Sequence, residues 1–142
     1  MITTLSLILS FIFGALGFIH FYWLFGGKWG LKHVVPTKAR EESFSAPPKF
    51  ATFLVAIILI LFALIYLLKS GCITINTPTW EENYCYWVIP SIFILRAIGD
   101  FNYVGFFKKI KNTHFANADT KWFSPLCIII GIIGISIVLI KN

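Results

Sequence analysis

Arg96 and Asp100 lie four residues apart inside an otherwise apolar run, 85–107, and Asn102 follows two positions later. On a helix, positions i and i+4 share one face, so this spacing predicts an ion pair one turn long. Ionisable groups in such a run mark a place where a polar ligand binds or a proton moves. The alternative is a buried structural pair that fixes the rotation of its helix. His20 is a candidate titratable partner for Asp100, against the plainer reading of a snorkelling interface residue. Asp119 and Ser124 are further candidates; Ser124 followed by Pro125 reads as an N-cap with proline at the first helical position. No metal-ligand spacing links His20, His33 and His114, so no metal and no cofactor is expected.

The elements that must hold these groups follow from composition. The chain has 142 residues, 58% hydrophobic and 13% charged, where a soluble domain carries about a quarter charged residues. The apolar residues fall into four blocks, 2–24, 50–68, 85–107 and 123–140. Each is near the ~20 residues that span ~30 Å of hydrocarbon. The expected fold is an all-α, integral membrane four-helix bundle, one four-span domain over 1–142. Its halves, 1–68 and 85–142, share a plan of span, basic loop, proline and span. Gly17-Phe-Ile-His-Phe-Tyr and Gly99-Asp-Phe-Asn-Tyr occupy matching places, which hints at two parallel hairpins. Gly14, Ala15 and Gly17 in the first block, and Gly131 and Gly134 in the fourth, offer faces for close helix approach.

The formal charge of +6 is spread over lysines that flank apolar blocks. That pattern fits topology signals and contacts with anionic lipid, not nucleic acid. The first loop holds Lys28, Lys32, Lys38, Arg40 and Lys49, against Glu41 and Glu42; the third begins with Lys108, Lys109 and Lys111. The positive-inside rule then places both loops in the cytoplasm and both termini outside. Pro36 and Ala46-Pro47-Pro48 should break any helix before the second span. Tyr22, Trp23, Trp80 and Trp87 read as interface aromatics.

The third block is a marginal span. Arg96 and Asp100 each cost roughly 2.5–3.5 kcal/mol near the bilayer centre, and its Val, Ile, Leu and Phe residues return roughly 0.3–0.6 each. The sums nearly cancel, so neighbouring helices must receive its polar face. At ~1.5 Å per residue, Asp100 lies roughly 10 Å and His20 roughly 7 Å from the cytoplasmic ends of their spans. One cytoplasmic-side pocket holding His20, Arg96, Asp100, Asn102, Ser124 and Asp119 is therefore expected, with the positive N-terminal end of the fourth span facing it.

The stretches Arg96-Ala-Ile-Gly-Asp-Phe-Asn-Tyr-Val-Gly-Phe-Phe, Phe115-Ala, Asp119-Thr120 and Ser124-Pro-Leu-Cys127 carry a resemblance. With His20-Phe-Tyr-Trp23, Gly26-Gly27 and Trp29 at the other end, the chain resembles the small bacterial membrane proteins of the domain of unknown function 3995. The resemblance implies a four-span protein of the bacterial plasma membrane. It implies no activity.

Two functional readings follow. In the first, a cytoplasmic-side pocket around Arg96 and Asp100 holds a polar or anionic, lipid-like or small ligand, with or without catalysis. In the second, the protein is a non-enzymatic accessory subunit or structural membrane protein, the Arg–Asp pair is its scaffold, and its partners are lipids, other membrane helices or further copies of itself. Cys72 and Cys85 would both lie outside, where a disulfide closing the second loop would persist; Cys127 reads as a packing residue.

Overall fold

The computed structural model is all-helical and describes residues 1–35, 47–73, 75 and 84–141. Pro36, Lys38, Arg40, Glu41, Glu42, Ala46 and Trp80 lie outside the described residues. The elements are α1 (Ile2–Leu24), α2 (Leu31–Val34), α3 (Lys49–Lys69), α4 (Tyr86–Ile98), α5 (His114–Ala118), a π-helical turn (Asp119–Phe123) and α6 (Ser124–Lys141). Among the described residues, three helical runs are long and apolar enough to cross a membrane: Ile2–Leu24, Lys49–Lys69 and the continuous His114–Ile140.

The helices pack as α1 on α3 and α4 on α6, and α1 against α6 joins the two pairs. Gly17 meets Ile60 and the Ala56 carbonyl of α3, Gly131 meets Ile94 of α4, and Gly134 meets Pro90. A β-carbon at Gly131 or Gly134 would collide with Ile94 or Pro90 of α4, and one at Gly17 would displace the end of the Ile60 side chain. Gly14 faces open space and takes no part in this packing. Ser10 Oγ donates to the Ala63 carbonyl at 2.8 Å, a direct bond from α1 to α3. An aromatic cluster fills the centre, with the Phe13 ring 5.6 Å from Phe62, 5.7 Å from Tyr66 and 5.2 Å from Phe93. Ring pairs at these distances add about 0.5–1.5 kcal/mol each beyond area burial.

Two boundaries differ from the sequence reading. The third span was expected to run to residue 107, but α4 is a 13-residue helix ending at Ile98. At 1.5 Å per residue that is about 20 Å, roughly 10 Å short of the hydrocarbon thickness. The helix stops because Gly99 takes φ +87 and Gly105 takes φ +90. At those two residues the backbone doubles back on itself. A β-carbon on Gly99 would collide with the Val104 carbonyl, and one on Gly105 with the Ile98 carbonyl. Phe101, at φ 62, completes the fold-back. Its backbone groups find partners close by: Phe106 N donates to the Ala97 carbonyl at 2.9 Å and Lys109 N to the Phe101 carbonyl at 3.1 Å.

The second difference is at Ser124. It does not cap a helix; its φ of −66 and ψ of −44 are helical, and α6 continues straight from the π turn. The true cap is Thr113, whose hydroxyl accepts from Ala116 N at 3.0 Å. Pro125 explains the π turn. A proline ring inside a helix crowds the carbonyl four residues back and cannot bond to it. That carbonyl is Lys121, inside the widened turn, where the register shift makes room. The α6 N–H groups are therefore inside a helix and not open to a ligand.

No disulfide joins Cys72 to Cys85 in this structure: Cys72 is an exposed thiol and Cys85 is half-buried beside the start of α4. Cys127 is buried in α6.

Candidate functional site

Asp119 opens the π turn and is wholly buried. Its Oδ1 accepts from Arg96 Nη2 at 2.9 Å, and its Oδ2 accepts from Gly105 N at 2.8 Å and from Lys108 Nζ at 3.0 Å. Lys108 is only 2% exposed. Its ammonium also donates to the Gly105 carbonyl at 2.9 Å and to Thr120 Oγ1 at 2.6 Å, which uses all three of its N–H groups. The carboxylate thus ties the end of α4, the 99–113 loop and the head of α6 into one unit.

The expected Arg96–Asp100 pair does not form. The i, i+4 rule holds only while the chain is helical, and the chain leaves the helix at Gly99 between the two side chains. Asp100 is exposed and its Oδ1 accepts from Asn102 N at 3.0 Å, Tyr103 N at 2.8 Å and Val104 N at 2.9 Å. These bonds, that from Val104 first, then Tyr103 and Asn102, hold the carboxyl below its ordinary value. Asn102 is exposed in the same loop, and Ser124 is buried with its Oγ unbonded among the described residues.

His20 lies elsewhere, on the opposite side of the π turn. It lines an open cavity of about 740 Å³ at this end of the bundle, bordered by α1, α2, α5 and the π turn. Trp23, Trp29 and Trp122 line it, and so do His33 and His114. The last two pack edge to face with centroids 6.0 Å apart and so join α2 to α5. Trp23 Nε1 donates to the Trp29 carbonyl at 2.8 Å, which pins the 25–30 turn over the cavity. His20 Nδ1 donates to the Leu16 carbonyl at 2.7 Å. A carbonyl can only accept, so Nδ1 carries the proton and Nε2 is left as an acceptor in the neutral ring. Leu16, Ile19, Asn117 and Lys121 also line it. Among the described residues, no group of three or more His, Cys, Asp or Glu side chains could hold a metal ion.

The structure thus joins Arg96 with Asp119, sets His20 apart from them, and leaves Asp100 and Asn102 in the loop. Sequence reasoning missed Lys108, His33, His114 and the tryptophan wall. Lys108 heads a lysine run and read as an interface charge. The two histidines are more than 80 residues apart in the sequence, and nothing local pairs them.

The sequence model of one family, described as a protein of unknown function (DUF3995), matches residues 13–134. No curated protein and no solved structure matches the chain.

Proposed function

We propose, for a chain that belongs to the DUF3995 family, that it is a small membrane protein holding an apolar or amphipathic ligand in the cavity of His20, Trp23, Trp29 and Trp122. One observation carries this reading. Separate stretches of chain bring three tryptophans and three histidines around about 740 Å³ of space, which lies within the ~300–1,000 Å³ usual for ligand sites. Flat aromatic walls with a few polar groups suit an apolar body with one polar end. The ligand site lies beside the Arg96 network, not in it, because Asp119 and Lys108 already satisfy each other. The lysines of the flanking loops favour a cytoplasmic-facing cavity in a bacterial plasma membrane, with both termini outside.

Photolabelling tests the reading. A decanol carrying a diazirine near its chain end should label peptides containing Trp23, Trp29 or Trp122 saturably, and excess decanol should compete. Ala118→Trp, which fills the cavity from α5, should abolish that labelling with the protein still folded. Labelling spread evenly over lipid-facing helix surfaces, without saturation, would sink the proposal.

The accessory-subunit reading has its own observation: Arg96 and Lys108 share the one buried carboxylate of Asp119 and tie separate elements together, as a scaffold would. A second polypeptide that co-purifies at fixed stoichiometry, together with an unlabelled cavity, would favour it.

A further inference from the structure

A second recess, of about 500 Å³, lies beside the aromatic cavity, and Asn117 and Lys121 border both. Its walls are of a different kind: Lys108, Lys111, Lys121, Thr120, Asn117 and Phe106. Three of its seven lining residues are cationic. The acidic side chain nearest in sequence, Asp119, is buried, and its oxygens already accept from Arg96, Lys108 and Gly105 N. Lys108 is spent on that carboxylate and contributes only its field. Lys111 and Lys121 are exposed, and the ammonium of Lys121 sits 5.7 Å above the Trp122 ring, on the border with the aromatic cavity.

The polarity of the recess can be counted by donors and acceptors. Thr120 Oγ1 accepts from Lys108 at 2.6 Å, so its own O–H remains to donate. Asn117 adds two amide donors, and Lys111 and Lys121 add charged ones. Such a donor-rich, acceptor-poor recess fits an oxyanion. Lys111 and Lys121, which no carboxylate holds among the described residues, match the charge of a phosphate monoester, and charge-assisted bonds of this kind are the strong ones.

We infer that the ligand is an amphiphile bearing a phosphate, with its apolar chain among the tryptophans and its phosphate in the recess against Lys111, Lys121 and Thr120. This rests on the proposed cavity and adds the chemistry of the head group. Asn117 and Lys121, one helical turn apart, mark the crossing between tail and head.

The same diazirine label separates the two claims. Decyl phosphate, decanol and inorganic phosphate are compared as competitors at pH 7. Decyl phosphate should compete at about a tenth or less of the decanol concentration. In the double variant Lys111→Ala, Lys121→Ala that advantage should fall to near one, and Lys111→Arg with Lys121→Arg should restore it. Equal competition by the alcohol and the phosphate would overturn the head-group assignment and leave the cavity standing. Displacement of decyl phosphate by inorganic phosphate at similar concentration would show a free-anion site and overturn the amphiphile. No saturable labelling at all would remove the cavity reading and this inference together.

Discussion

The two sides of the π turn at Asp119–Phe123 use polar groups in opposite ways. On one side Arg96, Lys108 and Asp119 are packed together, and two cations and a backbone N–H share one carboxylate. On the other, His20, Trp29 and Lys121 border open space. In the first arrangement Asp119 and Lys108 satisfy each other, and Arg96 Nη1 is buried without a hydrogen-bond partner among the described residues; in the second the polar groups border an open cavity. Charge inside an apolar segment is therefore a poor guide to a ligand site until its partners are known. Here the charged cluster secures the loop, and the less conspicuous aromatic side keeps the room.

Substitutions should separate the sides. Asp119→Ala leaves Lys108 and Arg96 without a counter-charge, so it should cost about 3–5 kcal/mol, read as a large drop in Tm in detergent. Trp29→Ala on the other side, at a residue 75% exposed, should stay within about 0.5 kcal/mol. Equal effects would erase the distinction. Arg96→Leu should couple to Asp119→Ala but add independently to Asp100→Leu, within about 0.5 kcal/mol. Coupling of Arg96 to Asp100 would restore the pair expected from their spacing.

Gly105→Ala attacks the loop through its backbone. An alanine at φ +90 that meets the Ile98 carbonyl should cost of order 1–3 kcal/mol and should weaken the Lys108–Asp119 contact. Unchanged Tm would mean the fold-back is not what holds Lys108 in place.

The smallest effect belongs to Asp100. Its carboxyl is held below the usual aspartate value of 3.8 by the Val104, Tyr103 and Asn102 amides. A group depressed on folding stabilises above its unfolded value, and the benefit is lost as pH falls through the folded one. Wild-type Tm should thus fall on acidification below about pH 4, and Asp100→Asn should flatten that slope. Parallel Tm–pH curves for the two proteins would contradict the cap.

The long apolar runs were legible because length and hydropathy alone define them: α1 and α3 lie within a residue of their expected ends, and so does the C-terminal end of α6, whose continuous helix begins at His114 and not near 123. The site was less so. Gly99 lies inside the expected third span, and only the opposing Gly105 makes it a reversal. Pro125 looked like a helix start because the π turn that absorbs it has no local signature. His20 was placed at a useful depth, but depth does not say which way a side chain turns.

The short α4 also bears on how the chain is made. When Ile98 leaves the ribosome, about 20 Å of helix has formed, with Arg96 at its end and its carboxylate partner still 23 residues away along the chain. Until Asp119 is synthesised, that segment has neither the length nor the charge balance to rest in a bilayer alone. The helix that follows supplies what α4 lacks, the Asp119 counter-charge for Arg96 and a long apolar neighbour.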